Sequence, residues 1–417
     1  MDGLYHTIIA GVLLAASPFW LVRCALQPRF RRELAARLWG WKRLYPPPGA
    51  LWIHAASVGE VRLAATLIHA IKESLPQRPV VLSTFTPAGW EVAQREAACD
   101  SFLLPPDSPL FLGPLLDRFR PAALVLLEAE LWPGLLRLCR ARGLPVILLN
   151  GRMSRTSFLR YEKIKPVFQW LTEGVLYFAM RSEDDARRVR RLGVAECRVG
   201  ATGNMKYDAL AEAPAPAQAD PPWVVFGSTR PGDEEAALEA IRQLREGHPR
   251  TWFALAPRHL ERVEEVAALL EDRGLDYVRH SQGALETNGE GGVVLVDQLG
   301  VLPEYYRRAQ VAYVGGGFRP EFGGQNILEP AALGVPVLYG PHMNNFQEEA
   351  RLLKDSGGGL QLDSSDQLTP MLRFLLEHPE ERAQLGRQAA EAVRSQRGAV
   401  RRNLEILREA LKFAPGS

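Results

Sequence analysis

From Leu51 onward, short runs of aliphatic and β-branched residues alternate with longer stretches whose apolar positions recur at helical spacing. The short runs predict strands at 51–55 (LWIHA), 80–84 (VVLST), 101–104 (SFLL), 122–127 (AALVLL), 145–149 (PVILL), 175–179 (VLYFA) and 197–201 (CRVGA). The Ala- and Pro-rich stretch 209–222 lacks apolar periodicity and reads as a linker. Beyond it the pattern restarts at 223–227, 251–256, 276–279, 293–296, 311–315 and 336–340. Strands alternating with helices are the signature of βα units on a parallel sheet, so the fold class is α/β with two Rossmann-like, doubly wound domains. The expected boundaries are 46–208 and 223–417. The helical segments from about Gln367 either cover the second domain or return across the boundary.

The first 45 residues follow another pattern. Leu4 to Val22 is a 19-residue run without Asp, Glu, Lys or Arg, close to the ~20 residues of a membrane-spanning helix. No basic n-region precedes it, so a retained anchor is expected rather than a cleaved signal. Arg23 to Arg43 then holds seven basic residues against one acid, Glu33, which puts the body of the protein on the cytoplasmic side. Within it Phe30, Leu34, Leu38 and Trp41 recur at helical spacing, either as an interfacial helix on anionic lipids or as a helix packed on the first domain. So local a basic excess gives no reason to expect nucleic acid.

Composition changes little. With 417 residues, 47% hydrophobic and 24% charged, the chain is an ordinary globular protein. Its four cysteines, Cys24, Cys99, Cys139 and Cys197, are scattered and suggest neither a disulfide framework nor a zinc site.

In a doubly wound sheet of order 3-2-1-4-5, ligands bind where the first and fourth strands part. The first half thus points to the loops ASVGE (56–60) and EAELWP (128–133), with Glu60 and Glu130 facing one crevice. Small residues let backbone N–H groups approach a ligand, and the helix dipole is expected to keep Glu60 ionised. Glu60 could equally be a capping residue, and Glu130 a solvated helix charge. If residues 128–130 are extended, only one of Glu128 and Glu130 points inward. Lys206, in GNMKYD (203–208), could neutralise a leaving phosphate or sit idle on the surface. In the second half, GSTRPGDE (227–234) and GGGFRPEFGGQNILE (315–329) are the switch-point loops, and Arg258 of APRH (256–259) suits phosphate recognition. Glycines ahead of the helix expected over NILEPAA suit a nucleotide, with Asn326 and Glu329 on one face of the turn. Neither a dinucleotide fingerprint nor a P-loop occurs, which argues against an NAD enzyme or a P-loop ATPase.

HAASVGE, TFTPAG, EAELWP, NGRMS, GNMKYD, STRPGDE, APRH and GGQNILEPAALGVPVLYGP, in this order behind an apolar N-terminus, resemble the lipid A Kdo (3-deoxy-D-manno-octulosonic acid) transferases over nearly the whole chain. The resemblance implies the GT-B architecture, with an acceptor domain, a nucleotide-sugar domain and a central cleft. It implies inverting transfer of Kdo from CMP-Kdo to the lipid A precursor, lipid IV-A, at the cytoplasmic face of the inner membrane, without cofactor or metal. By motif match Glu60 is the general base, and Glu130 and Lys206 stabilise the transition state. CMP is held by Pro257 and Arg258, by Leu299, Gly300 and Val301, and by Asn326, Ile327, Leu328 and Glu329. One departure stands out: DQLGVL (297–302) replaces the family's DTxGEL, leaving Val301 only its backbone to offer. Competing readings are another GT-B enzyme acting on a UDP-sugar, whether transferase or epimerase, and an inactive membrane-associated binding homologue.

Overall fold

The computed structural model describes residues 11, 17–20, 22–210, 220–283 and 291–412. The chain divides into two compact units, Met1–Ala209 with Arg397–Ser417, and Leu210–Gln396.

The first unit is built on seven parallel strands: β1 (Leu51–Ala55), β2 (Val80–Thr84), β3 (Asp100–Leu103), β4 (Ala123–Leu127), β5 (Val146–Gly151), β6 (Val175–Met180) and β7 (Val199–Ala201). Their order is β3-β2-β1-β4-β5-β6-β7, so β1 and β4 are neighbours, Ile53 lying opposite Val125. Side chains alternate between two cores, as strand geometry requires. Trp52, Leu124, Leu126, Val146 and Leu148 enter one; Leu51, Ile53, Val125, Leu127, Ile147 and Leu149 enter the other. The second core is covered by the Val58–Ser74 helix, whose Val61, Ala64, Ile68 and Ile71 form one stripe.

The same core is also covered by the last helix, Ala399–Leu411, through Val400, Leu404, Leu407 and Leu411. This corrects the expected second domain 223–417: its final helix belongs to the first unit. Asp208, from the GNMKYD motif, accepts the amides of Gly398 (2.7 Å) and Val400 (2.9 Å) and so caps that helix. Arg402 donates to the Thr202 carbonyl at 2.7 Å.

The second unit carries β8 (Trp223–Thr229), β9 (Trp252–Pro257), β10 (Tyr277–Arg279), β11 (Val293–Leu295), β12 (Ala309–Val314), β13 (Val337–Tyr339) and β14 (Gly359–Gln361), all parallel, in the order β10-β11-β9-β8-β12-β13-β14. Counting strands 3-2-1-4-5 fails here, because β10 and β11 both lie on the β9 side. The neighbour of β8 is therefore β12, and the two loops singled out above do leave adjacent strands. The strand β14 follows too short an apolar run to be read from sequence.

Among the described residues no helix is long and apolar enough to cross a membrane. The expected anchor over 4–22 lies mostly outside the described residues, as does most of the linker. The basic segment forms the Pro28–Trp39 helix, starting on Pro28. Its Arg37 donates to the carbonyls of Leu104 (2.9 Å) and Phe85 (2.7 Å), and Trp41 is buried edge-on to Phe119. The helix is thus tied to the carboxyl ends of β2 and β3.

Candidate active site

In the first unit the loop after β1 is short because Ser57 immediately caps the Val58–Ser74 helix. Glu60, 8% exposed, turns back on this loop. Its Oε2 accepts the Ala56 amide and its Oε1 the Ser57 hydroxyl, both at 2.9 Å, a variant of the capping box. The neighbouring segment TFTPAG braces the loop from the other side, the Thr86 amide and hydroxyl both donating to the Ala56 carbonyl.

The expectation that the helix dipole keeps Glu60 ionised is overturned. Burial raises its pKa to about 7, the Glu130 and Glu128 charges push the same way, and the Ala56 and Ser57 hydrogen bonds only partly offset them. Glu60 and Glu130 are thus brought close enough for their charges to be felt. Burial also raises Glu130, opposed by the indole N–H of Trp132, which lies beside it without reaching hydrogen-bond geometry. The segment 128–130 is not extended, since Glu128 adopts the left-handed conformation (φ 57°), so strand alternation does not decide which glutamate faces Glu60. Pro133 opens the next helix, and the carboxylate of Asp107 takes the amides of Gly134 and Leu135, both at 2.7 Å.

Beneath these loops lies a polar network that sequence reading missed. Trp52 donates to the Ser83 hydroxyl at 2.7 Å, and Ser83 contacts His54 Nδ1 at 2.8 Å. The Ser83 hydroxyl has one proton and two lone pairs, so besides accepting from Trp52 it can pair with either tautomer of His54. Burial lowers the His54 pKa to about 3, so the ring is a neutral strut edge-on to Trp132 at 6.3 Å. Lys206 sits on a short turn fixed by the Met205 amide donating to Asn150 Oδ1 (2.9 Å) at the carboxyl end of β5; its ammonium lies 5.3 Å over the Tyr207 ring.

The second unit reverses the chemistry. Arg230, Arg258 and Arg262, from the loops after β8 and β9, lie close enough for their charges to repel. Burial and the two neighbouring guanidiniums push the Arg230 pKa down. Arg262 is neutralised by fully buried Glu234 at 2.7 Å and by Glu265 at 2.9 Å. Arg258 donates instead to the neutral Gln325 amide oxygen at 3.1 Å. Arg230 stacks over Phe322 at 5.2 Å, and its buried Nε has no hydrogen-bond partner among the described residues.

Asp233, also unforeseen, fastens the two switch-point loops. It accepts the Tyr313 hydroxyl (2.6 Å), the Gly316 amide (2.6 Å) and the Arg230 amide (2.8 Å). A Cβ on Gly315 would lie 2.7 Å from both Asp233 Oδ2 and Thr229 Cα, so only glycine permits this closure.

Two details of the expected nucleotide loop change. The helix is only Leu328–Ala332, and Asn326 Oδ1 already accepts the Leu328 amide at 3.2 Å, so a helix-terminal phosphate site is weak there. Asn326 Nδ2 also donates to Glu329 Oε1 at 3.0 Å. Ile327 and Leu328 are buried and can meet a ligand only through their backbone. Pro257 ends β9 with its side chain buried. Leu299 is 74% exposed, Gly300 takes φ 87°, and Val301 precedes the next helix; this loop leaves β11, adjacent to the strand that carries Arg258.

Residues 29–209 match the family described as 3-Deoxy-D-manno-octulosonic-acid transferase (kdotransferase). A 3-deoxy-D-manno-octulosonic acid transferase of Haemophilus influenzae is 32% identical over 427 residues, covering 98% of this chain and 99% of that one. One from Bordetella pertussis is 33% identical over 383 residues, 88% of each. Among solved structures, a UDP-GlcNAc 2-epimerase from Neisseria meningitidis bound to UDP-GlcNAc superposes with TM-score 0.58 at 13% identity, over 87% of this chain and 99% of that one. That likeness is one of fold, the GT-B architecture of two doubly wound sheets. Similarity along almost its whole length, together with the motif-bearing loops at both switch points, makes this chain a member of the 3-deoxy-D-manno-octulosonic acid transferase family.

Proposed function

We propose that the protein transfers Kdo from CMP-Kdo to a sugar hydroxyl of the lipid A precursor, lipid IV-A, with inversion at the anomeric carbon. The observation that carries this reading is the buried Glu60 carboxylate, with a pKa of about 7 at the β1–β4 switch point. A group titrating near neutrality is ionised often enough to accept a proton and basic enough to take it. Glu60 takes the acceptor hydroxyl proton, the oxygen bonds to the anomeric carbon, and the bond to CMP breaks with its electron pair leaving on the phosphate. Arg258 and Lys206 take up the charge that develops there, Glu130 keeps Glu60 basic, and CMP rests on Pro257–Arg258, Leu299–Val301 and Asn326–Glu329. With cations of its own at the leaving group, the reaction needs no cofactor or divalent ion, and its rate is expected to be unchanged by EDTA.

The lipid acceptor implies a membrane, and residues 4–22 serve as the anchor at the cytoplasmic face of the inner membrane. Support comes from the seven basic residues after that run, suited to anionic lipids, and from Arg37, which links their helix to the loops beside Glu60.

The test is incubation of the purified full-length protein with CMP-Kdo and lipid IV-A, followed by mass spectrometry of the lipid. Mass gained in Kdo increments is expected. An unmodified lipid, with turnover of UDP-GlcNAc instead, would overturn the reading.

A further inference from the structure

The donor proposed above carries two negative groups. An ulosonic acid bears its carboxylate on the anomeric carbon, and the phosphate of CMP is attached to that same carbon. Any pocket for CMP-Kdo must therefore satisfy two anions one atom apart.

At its switch point the second unit offers two guanidiniums without a direct ion pair among the described residues, although Asp233 and Glu234 lie near enough to Arg230 to offset part of its charge. Arg262 is spoken for by Glu234 and Glu265. Arg258 is bonded only to the Gln325 amide, and neither it nor Arg230 has a carboxylate within ion-pair distance among the described residues. Arg230 is also held in place by its surroundings. Its amide is bonded to Asp233, Pro231 follows it, Ser228 before it takes φ 52°, and its guanidinium lies on the Phe322 face. A buried N–H without an acceptor is costly in the empty protein, and a ligand that supplies the acceptor removes that cost. A planar guanidinium matches a carboxylate better than an ammonium does.

We infer that Arg230 recognises the carboxylate of the donor sugar and makes the enzyme selective for an acidic over a neutral sugar. This rests on the CMP-Kdo reading, with Arg258 serving the phosphate. The selectivity has a repulsive side as well: a neutral nucleotide sugar would leave the Arg230 guanidinium desolvated and unpaired.

The experiment compares Arg230→Gln and Arg230→Lys with the wild type in the full-length protein. CMP affinity is measured by calorimetry, and kcat/KM is measured for CMP-Kdo and for its C1 amide, which lacks the negative charge. Wild type is expected to prefer CMP-Kdo over the amide by about 10²- to 10³-fold. In Arg230→Gln that preference should collapse through loss of activity on CMP-Kdo, with CMP affinity within about threefold of wild type. Arg230→Lys, which keeps the charge but loses the fork, should fall between. The inference is overturned if Arg230→Gln weakens CMP and CMP-Kdo equally, which makes Arg230 a phosphate ligand, or if the preference over the amide survives. Failure of the wild type itself to bind CMP would instead remove the donor assignment, and this inference with it.

Discussion

Both units are seven-stranded parallel sheets with a switch point beside their first strand, and they use it for opposite charges. At the β1–β4 switch point three glutamates, Glu60, Glu128 and Glu130, crowd together, and burial and mutual repulsion raise Glu60. At the β8–β12 switch point the crowd is of arginines, and burial with like-charge repulsion lowers Arg230. In both places the scaffold draws one group of a like-charged cluster away from water, so Glu60 and Arg230 are each destabilised in the charged form. A carboxylate in that state seeks a proton and a guanidinium seeks an anion. One unit is thereby suited to activating a hydroxyl, and the other to receiving a charged leaving group.

Glu60→Gln breaks this contrast most sharply. It removes the base and should lower kcat by about 10²- to 10⁴-fold in single-turnover transfer, while calorimetry finds CMP affinity unchanged. Arg258→Ala breaks the other side, with an expected loss of about 10²- to 10³-fold in kcat/KM and weaker CMP binding in the same titration.

Glu130→Gln sharpens the comparison without abolishing activity. Glu130 raises the Glu60 pKa, so removing its charge should move the acid limb of the kcat/KM profile from about pH 7 to lower pH. An unmoved limb would mean that another group titrates there.

The smallest effect is on stability. Glu60 is raised from 4.5 to about 7 in the folded state, so between those values the folded protein holds more proton than the unfolded chain. Its contribution to stability is therefore lost as pH rises through that window. Glu60→Gln should consequently raise Tm at pH 8 by roughly 2–4 °C per kcal/mol recovered, and change it little at pH 4.

The sequence reveals much of this site, but only the parts that are local. Strand runs and the small residues after β1 and β12 are contiguous patterns, which is why the switch loops and Glu60, Glu130 and Arg258 could be picked out. Asp233 gave no such signal: its partner Tyr313 is 80 residues away, and in sequence it reads as one more acid at a helix start. His54 and Ser83 sit inside strands, where their hydrogen bond across β1 and β2 leaves no periodic trace. The Glu60 pKa was misread because the dipole argument is a surface argument, and desolvation outweighs it once the carboxylate is buried. Lone motif residues divide the same way: Asp208 proves to be a cap, whereas Arg258 has no acidic partner among the described residues.

The return of the last helix to the first unit makes residues 210–396 an insertion. During translation the second unit emerges with every strand it needs, whereas the first must wait, one apolar sheet face half covered, until residues 399–411 clear the ribosome. Ribosome stalling or proteolysis just before that helix would therefore leave the second unit sound and the first prone to aggregate, although the latter is made first.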